Sequence, residues 1–418
     1  MKNFTNLLLA ASALALTAGA AHADMLSDLK VKFMTVDSTQ IGTMVGNGGA
    51  FASDEYVHAI VVSPTADAPA PSAPATVLAW SGYVRVGLAG GHDNAAVGTN
   101  GLTGLAGGTA AGYPIDLLGR EKLKVVGSTE TALGTIGASV SFRTNNSITA
   151  GFQQEAAGAF NGGRGGVSGD GYYGWLKTGN ITFSGGNGNV LGSGSLVYNT
   201  FTFDSVCTCM YGNDNWGAIA TPRNGAPFSN SSKNTPMMAA LSYQDGPIVA
   251  GAAIEDAGGN GNLGFSGKVA YNNNLKAGAF GAELSGGYWG GSGVGSGNAA
   301  WAVIGGVAAK YDPITLGLSL GTGNTGGYGA GTIGQNAAYT IGNAYASVGL
   351  TSDISAELAL VHDFGTDATD ILNGASLFEI GAYWKPQKQF VLGLEGQFQS
   401  GGVNDGGYTA AAVTRWSF

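Results

Sequence analysis

The sequence predicts an all-β fold, an antiparallel up-and-down barrel of about sixteen strands that crosses a membrane. Three observations carry this prediction: many segments alternate with a two-residue period, the gaps between them are alternately long and short, and the prolines avoid their interiors. The last segment, residues 407–418, places Tyr408, Trp416 and Phe418 on one face and Arg415 on the other. A strand between lipid and water shows this alternation, with aromatic side chains near the headgroups.

Sixteen segments are expected, with the longest gap, residues 187–235, between the fifth and the sixth. Residues 56–62 could add to the sheet, so sixteen and eighteen strands remain alternatives. The sixteen segments are 79–88, 120–126, 134–143, 172–177, 181–184, 237–244, 248–255, 265–272, 276–288, 301–311, 315–321, 341–350, 355–361, 377–385, 390–399 and 407–418.

The first residues indicate export. A charged start at Lys2, an apolar run over residues 7–20 and the small-x-small triplet Ala21-His22-Ala23 predict a signal peptide over residues 1–23. No later stretch of about 18 apolar residues follows, so a membrane role requires strands rather than helices. Residues 24–77 are interpreted as an N-terminal extension that ends in a Pro- and Ala-rich linker, and residues 78–418 as the barrel domain.

The composition limits the classes of function. The 418 residues include 74 Gly and 11% charged residues, and the net charge is -9. This suits a β-rich chain and argues against nucleic-acid binding, which needs a basic patch. Cys207 and Cys209 are candidates for a local disulfide, the alternative being a pair of inert thiols. No cofactor is expected, and no cluster of Cys and His suggests a metal site.

Two short motifs resemble those of a known family. Gly82-Tyr83-Val84-Arg85 resembles the opening strand of the alphaproteobacterial general porin family, and residues 128–135 resemble its first periplasmic turn. The resemblance covers residues 79–418 in architecture. It implies a homotrimeric porin in the lipid of the outer membrane, a water-filled channel for passive diffusion of small hydrophilic solutes and ions. It also implies that the outer-membrane assembly machinery recognises the strand ending at Phe418.

The inner faces of the predicted strands carry two groups of charges. The acids are Glu283, Glu357, Glu379 and Glu395. A polar lining could simply include both signs, or the basic wall could face acidic groups across a constriction, where the field would orient polar solutes. The basic wall lies on the first four strands and the last: Arg85, Arg120, Lys122, Lys124, Arg143, Lys177 and Arg415.

The resemblance also implies that the third external loop folds into the lumen, and here that loop is the longest gap. Its acids Asp204 and Asp214 become candidates to face the basic wall, with a solvated surface loop as the alternative. Few acids occur in this loop, which argues against strong cation selectivity.

Two other classes of protein are disfavoured. A secreted Gly-rich β-solenoid or adhesin would show a fixed repeat period, and the sequence has none. A hydrolase on a barrel scaffold would need a Ser, a His and an acid arranged for nucleophilic attack. The mature histidines are His58, His92 and His362, and His362 and its neighbour Asp363 should point to opposite faces of a strand. No enzymatic activity is expected.

Overall fold

The structure is a computed structural model. Two-residue alternation of apolar and polar side chains explains why these segments adopt strands, because it gives each strand one face for lipid and one for the lumen. The described residues are 30–36, 40–41, 44–45, 57–63, 76–92, 116–147, 167–187, 237–256, 263–275, 278–289, 299–324, 338–365, 374–402 and 405–418.

In these residues, eighteen strands form one antiparallel sheet, and sixteen of them, β3 to β18, close into a barrel. The strands are β1 (Lys30–Val36), β2 (Val57–Ser63), β3 (Thr76–His92), β4 (Asp116–Thr131), β5 (Gly134–Ser147), β6 (Val167–Thr178), β7 (Ile181–Asn187), β8 (Met237–Asp245), β9 (Ile248–Asp256), β10 (Leu263–Leu275), β11 (Gly278–Trp289), β12 (Ala300–Tyr311), β13 (Ile314–Asn324), β14 (Ala338–Gly349), β15 (Ile354–Asp363), β16 (Ser376–Gln387), β17 (Phe390–Ser400) and β18 (Tyr408–Ser417).

β3 and β18 close the barrel, because they pair antiparallel from Tyr83, opposite Ser417, to His92, opposite Tyr408. Beyond this ladder, the Gly82 amide donates to the Phe418 carbonyl over 2.8 Å, and the Phe418 amide donates back over 2.9 Å. The Phe418 ring covers Gly82 so closely that a Cβ there would lie 2.7 Å from ring carbons. Closure leaves the barrel without an open strand edge, the condition for a sheet in lipid. The predicted barrel is confirmed.

The two ends of the barrel differ. At one end, called the turn end below, short turns join β4 to β5, β6 to β7, β8 to β9 and the later pairs. Gly246 takes a left-handed φ of 52° in the turn between β8 and β9, a conformation that glycine adopts without strain. At the other end, the loop end, the connections are mostly longer, and the longest, residues 188–236, lies between the fifth and sixth barrel strands. This alternation agrees with the predicted up-and-down topology.

All sixteen predicted strands are present, and most are longer than predicted. The first runs over residues 76–92 rather than 79–88. Backbone pairing continues through glycine and asparagine residues, which blur the apolar alternation from which the bounds were predicted. The prolines were expected to avoid the strands, but Pro386 lies in β16, where the register with β17 shifts. Such a bulge accommodates a residue that cannot donate to the ladder.

The outer face of the barrel is apolar and exposed. On β3, Val84, Val86 and Leu88 are 39 to 50% exposed, whereas Arg85 between them is 5% exposed on the opposite face. β13 repeats the pattern, with Leu316, Leu318 and Leu320 outward. Aromatic side chains stand on the outer face near both ends, including Tyr271, Tyr311, Trp384 and Phe418 at the turn end and Tyr288, Trp301, Phe378, Phe398 and Tyr408 at the loop end. Among the described residues, no helix is long and apolar enough to span a membrane.

The N-terminal extension joins the sheet, as the alternative that residues 56–62 add to it allowed. Within residues 24–77, which were interpreted as an extension before the barrel domain, β2 pairs with β3 from His58, opposite Trp80, to Val62, opposite Thr76. β1 then pairs with β2. The physical reason is that residues 76–80 of β3 run past the end of β18 and offer a free strand edge there. The sheet thus has eighteen described strands around a sixteen-stranded barrel, which resolves the two alternatives.

Candidate pore wall

The basic side chains lie along neighbouring register rows of the inner wall. Arg415 of β18 is directly opposite Arg85 of β3, which is directly opposite Arg120 of β4. Directly opposed residues in antiparallel strands have Cα atoms about 4.5 to 5.5 Å apart. Three arginine positions on adjacent strands therefore form one row, although the Arg120 side chain lies outside the described part. Arg85 also lies over the Tyr83 ring, 5.5 Å from its centroid.

The next rows toward the turn end extend this basic patch. Lys122 is opposite Tyr83 on one side and Arg143 on the other, and Lys124 is opposite Ser81 and Ser141. The Arg143 side chain also lies outside the described part. Like charges at this spacing are destabilising in a sheet unless counter-charges or water compensate them. The patch is therefore suited to attract anions into the lumen.

Lys177 does not belong to the patch. It lies opposite Thr135 at the turn end of β5, whereas Arg143 occupies the same strand nearer the loop end. Residues 135 and 143 are eight positions apart, which corresponds to roughly 27 Å along a strand. Of the predicted basic wall, the structure thus groups Arg85, Lys122, Lys124 and Arg415 with the backbone positions of Arg120 and Arg143.

Three of the predicted acids form a second patch with aromatic and amide partners. Glu357 of β15, Glu379 of β16 and Glu395 of β17 all lie on the inner face and are 4 to 7% exposed. The Tyr383 hydroxyl donates to Glu395 Oε1 over 3.3 Å, and Gln397 Nε2 donates to Glu379 Oε1. Tyr345 is hydrogen-bonded to Glu357. Each buried carboxylate thus has a polar partner, which such groups require.

The sequence analysis did not select Tyr345, Tyr383 or Gln397, although the same alternation that placed the glutamates places them on the inner face. It also missed Lys268 of β10, which is 3% exposed on the inner wall. Lys268 interacts electrostatically with Glu283 of β11, and the two stand at diagonal register positions. The alternation along β10 could have identified Lys268, because residues 265 and 269 point outward and the even-numbered Lys268 therefore points inward.

The acidic patch occupies the arc of wall next to the basic patch. β15 to β17 are followed by β18 and then by β3. Of the four predicted acids, only Glu283, on β11, stands across the lumen from Arg85, since eight of the sixteen strand positions separate β11 from β3. Among the described acids, Glu283 is therefore the one that would oppose the basic patch in a field across the pore. The acidic patch and the basic patch lie side by side, so the charge of the wall changes sign around its circumference.

The residues predicted in the inward loop cannot be placed. Asp204, Asp214, Cys207 and Cys209 lie in residues 188–236, outside the described residues. Their role in a constriction, and the disulfide, stay predictions.

His362 and Asp363 lie on opposite faces of β15, as the alternation predicted. His362 Nδ1 lies 2.8 Å from Ser376 Oγ on the outer face of the barrel. Asp363 is fully buried on the inner face, so it cannot orient the His362 ring as the acid of a triad would. His58 stacks on Trp80. Within the described residues, no three His, Cys, Asp or Glu side chains are arranged to hold a metal ion.

The comparisons with known proteins support the fold. No protein-family model matches the sequence, and no curated protein matches it. Solved structures do: a variant of the Rh. blastica porin, at 18% identity and a TM-score of 0.52, is similar over 82% of this chain and 100% of that chain. Salmonella typhi OmpF, solved with daunomycin, is similar at 12% identity and a TM-score of 0.57, over 82% of this chain and 98% of that chain.

The outer membrane channel DcaP of Acinetobacter baumannii is similar at 13% identity and a TM-score of 0.51, over 82% of this chain and 97% of that chain. Identities this low establish architecture alone. The chain therefore has the closed, sixteen-stranded antiparallel barrel fold found in bacterial porins.

Proposed function

We propose that this protein is an outer-membrane channel through which small hydrophilic solutes and ions diffuse passively. One observation carries the proposal: a closed barrel with an exposed apolar outer face encloses an inner wall of arginine, lysine, glutamate and tyrosine side chains. An apolar band of this extent on the outside is stable only against lipid or another protein. The closed barrel also favours a channel over a secreted solenoid adhesin.

Planar-bilayer recording of the purified protein tests this function. We expect discrete conductance steps, and a reversal potential under a salt gradient that reports the balance of the two charged patches. Heat-denatured protein is the control. Barrel-folded protein, identified by its heat-dependent gel mobility, that gives no steps in a bilayer would contradict the proposal.

The finer parts of the proposal rest on the sequence. Export is supported by the signal-peptide pattern over residues 1–23, and recognition by the outer-membrane assembly machinery is supported by the aromatic Phe418 of the closing strand. Kinship with the alphaproteobacterial general porins is supported by residues 82–85 and 128–135. Fractionation of the host envelope should place the mature chain, beginning after Ala23, in the outer membrane.

We include a homotrimer in this proposal because two features of the outer face suit contact between barrels. Ala250 and Ala252 present small outward side chains on β9 that permit close packing. Glu121, midway along β4, is exposed on the outer face opposite Val84 of β3. A carboxylate is costly against hydrocarbon, and a neighbouring subunit would keep Glu121 away from lipid.

Replacing Glu121 by leucine distinguishes whether this side chain faces a neighbouring subunit or lipid. In a subunit interface, the loss of its polar contacts should shift the unheated protein from trimer toward single barrels in mild detergent. Light scattering measures the mass, and Glu121→Gln, which keeps the shape, should have a smaller effect. An unchanged mass together with a higher free energy of unfolding would show instead that Glu121 faces lipid.

A further inference from the structure

The N-terminal cap lies against the inner wall of the barrel. It is defined as β1, β2, the helical residues Gln40, Ile41 and Met44, and the turn residue Val45. Trp175 of β6 donates a hydrogen bond from Nε1 to the Val45 carbonyl over 3.3 Å, in a buried position. Trp175 is on the inner face. Side chains alternate along β6, and Tyr172, three residues before Trp175, is exposed on the outer face. The cap therefore reaches from β3, where β2 pairs, to the fourth strand of the wall.

From β3 to β8, the wall beneath the cap carries no charged side chain in two adjacent register rows, where buried Ser128 and Ser139 stand among apolar residues, in contrast to the charged rows above it. Its apolar side chains occupy these two rows, toward the turn end. They join the buried residues of the cap in one hydrophobic cluster. A wall that contacts water is polar in barrels of this kind, so an apolar stripe indicates a surface that is normally covered. The stripe consists chiefly of Val77, Ala79, Val126, Tyr173, Trp175 and Met238.

The cap has two distinct faces, which shows that it is packed rather than loosely collapsed. Ile41, Val45 and Val57 are fully buried, at 0% exposure. Val31 and Phe33 of β1 are 55% and 73% exposed on its other face. The buried residues belong to the cluster and the exposed ones do not. Substitutions on the two faces can therefore be compared within one short segment.

The cap lies between the basic patch and the turn end. Val126 follows Lys124 by two residues on the inner face of β4, and Ala79 precedes Ser81, the partner of Lys124. A solute that passes the basic patch must then pass the part of the lumen that the cap occupies. The wall is a continuous ladder of paired strands, whereas the cap joins it through one short ladder and an apolar contact.

We propose that the N-terminal cap is a displaceable plug that narrows the turn end of the channel, so that full conductance requires its release from the apolar stripe. This rests on the proposed channel function. In the full chain, Ile41→Asp with Val45→Asp puts two charges into the buried cluster and should release the cap, because an unpaired charge is expelled from an apolar site. The double variant should show larger conductance steps than the wild type.

The matched control is Val31→Asp with Phe33→Asp, which adds the same charges to the exposed face of the same segment. It should keep the wild-type step size. Heat-dependent gel mobility confirms that the barrel is folded in each variant, so loss of the barrel is recognised separately. Equal steps in the wild type and the released variant would overturn the proposal.

Thiol labelling reports on the cap without using conductance. In a background with Cys207→Ser and Cys209→Ser, Ala79→Cys lies under the cap, where the native side chain is fully buried. A polar maleimide should label it about tenfold faster or more once the cap is released, since tenfold corresponds to about 1.4 kcal/mol of protection. Leu350→Cys, in an exposed turn, should react at the same rate with and without the Ile41→Asp and Val45→Asp substitutions. If Ala79→Cys also reacts at the same rate with and without them, the cap is not displaceable.

The two proposals fail differently. If neither the wild type nor the released variant conducts while labelling shows release, the channel function is wrong and the cap is still displaceable. If both conduct alike, the channel function stands and the plug is rejected.

Discussion

Replacing Arg85 and Arg415 together by glutamine should shift ion selectivity strongly toward cations and enlarge the conductance. The two arginines are directly opposed across the closing seam of the barrel, so their fields add at one level of the lumen. An ion about 4 Å from one charge gains or loses about 1 kcal/mol in water, and salt screening reduces this value. The double variant loses the repulsion of cations and the attraction of anions that these two arginines provide. The ratio of cation to anion permeability should therefore increase by about tenfold, or about 1.4 kcal/mol.

The reversal potential under a salt gradient measures this change, with single-channel current as the second readout. Lys388→Gln is the control, because Lys388 is exposed in the turn between β16 and β17, away from the patch. Each single arginine variant should give roughly half of the shift in free energy. A folded double variant with unchanged selectivity and conductance would mean that the narrow part of the pore lies elsewhere.

Replacing Leu318 by lysine should destabilise the barrel in lipid by about 2 to 4 kcal/mol, the cost of a cation at the middle of a lipid-facing strand. Leu318 is 60% exposed on the outer face of β13, so the charge cannot reach the lumen. Denaturant unfolding in vesicles measures the free energy. Leu318→Ala corrects for the lost apolar area, which costs less because no charge is desolvated.

The inner counterpart is Ser347→Lys on β14, directly opposite Glu357. There a cation meets a carboxylate rather than hydrocarbon, so the free energy of unfolding should change far less. Equal losses at both positions would show that the two faces of the wall are assigned incorrectly.

The architecture could be predicted because a barrel between lipid and water imposes a two-residue period on every strand. That period also placed Arg85, Arg415 and the four glutamates on the inner face. It cannot say which residues stand opposite one another, because register depends on strand pairing over long sequence distances. Hence the row of Arg415 and Arg85, and the position of the acids on the adjoining arc, emerge only from the structure.

The N-terminal segment was predicted only in part, as a possible addition to the sheet over residues 56–62, for a similar reason. β1 and β2 have only seven residues each, and their apolar patterning is weak in isolation. What holds the cap is contact with residues far along the chain, such as the hydrogen bond between Trp175 and Val45. The run of prolines between residues 63 and 75 suggested a detached extension, whereas the strand before it returns to pair with the strand after it.

The shared edge of β3 has a consequence for the dimensions of the barrel. β2 occupies this edge up to Trp80, opposite His58, and the closing strand occupies it from Gly82, bonded to Phe418. Only Ser81 separates them, so the closing strand cannot slide toward the turn end without striking β2. Stagger between the first and last strands sets the shear of a barrel, and shear with strand number sets its diameter. While the cap is in place, the N-terminal hairpin thus opposes a shift of the closing strand toward the turn end, and with it a change in the shear and diameter of the barrel.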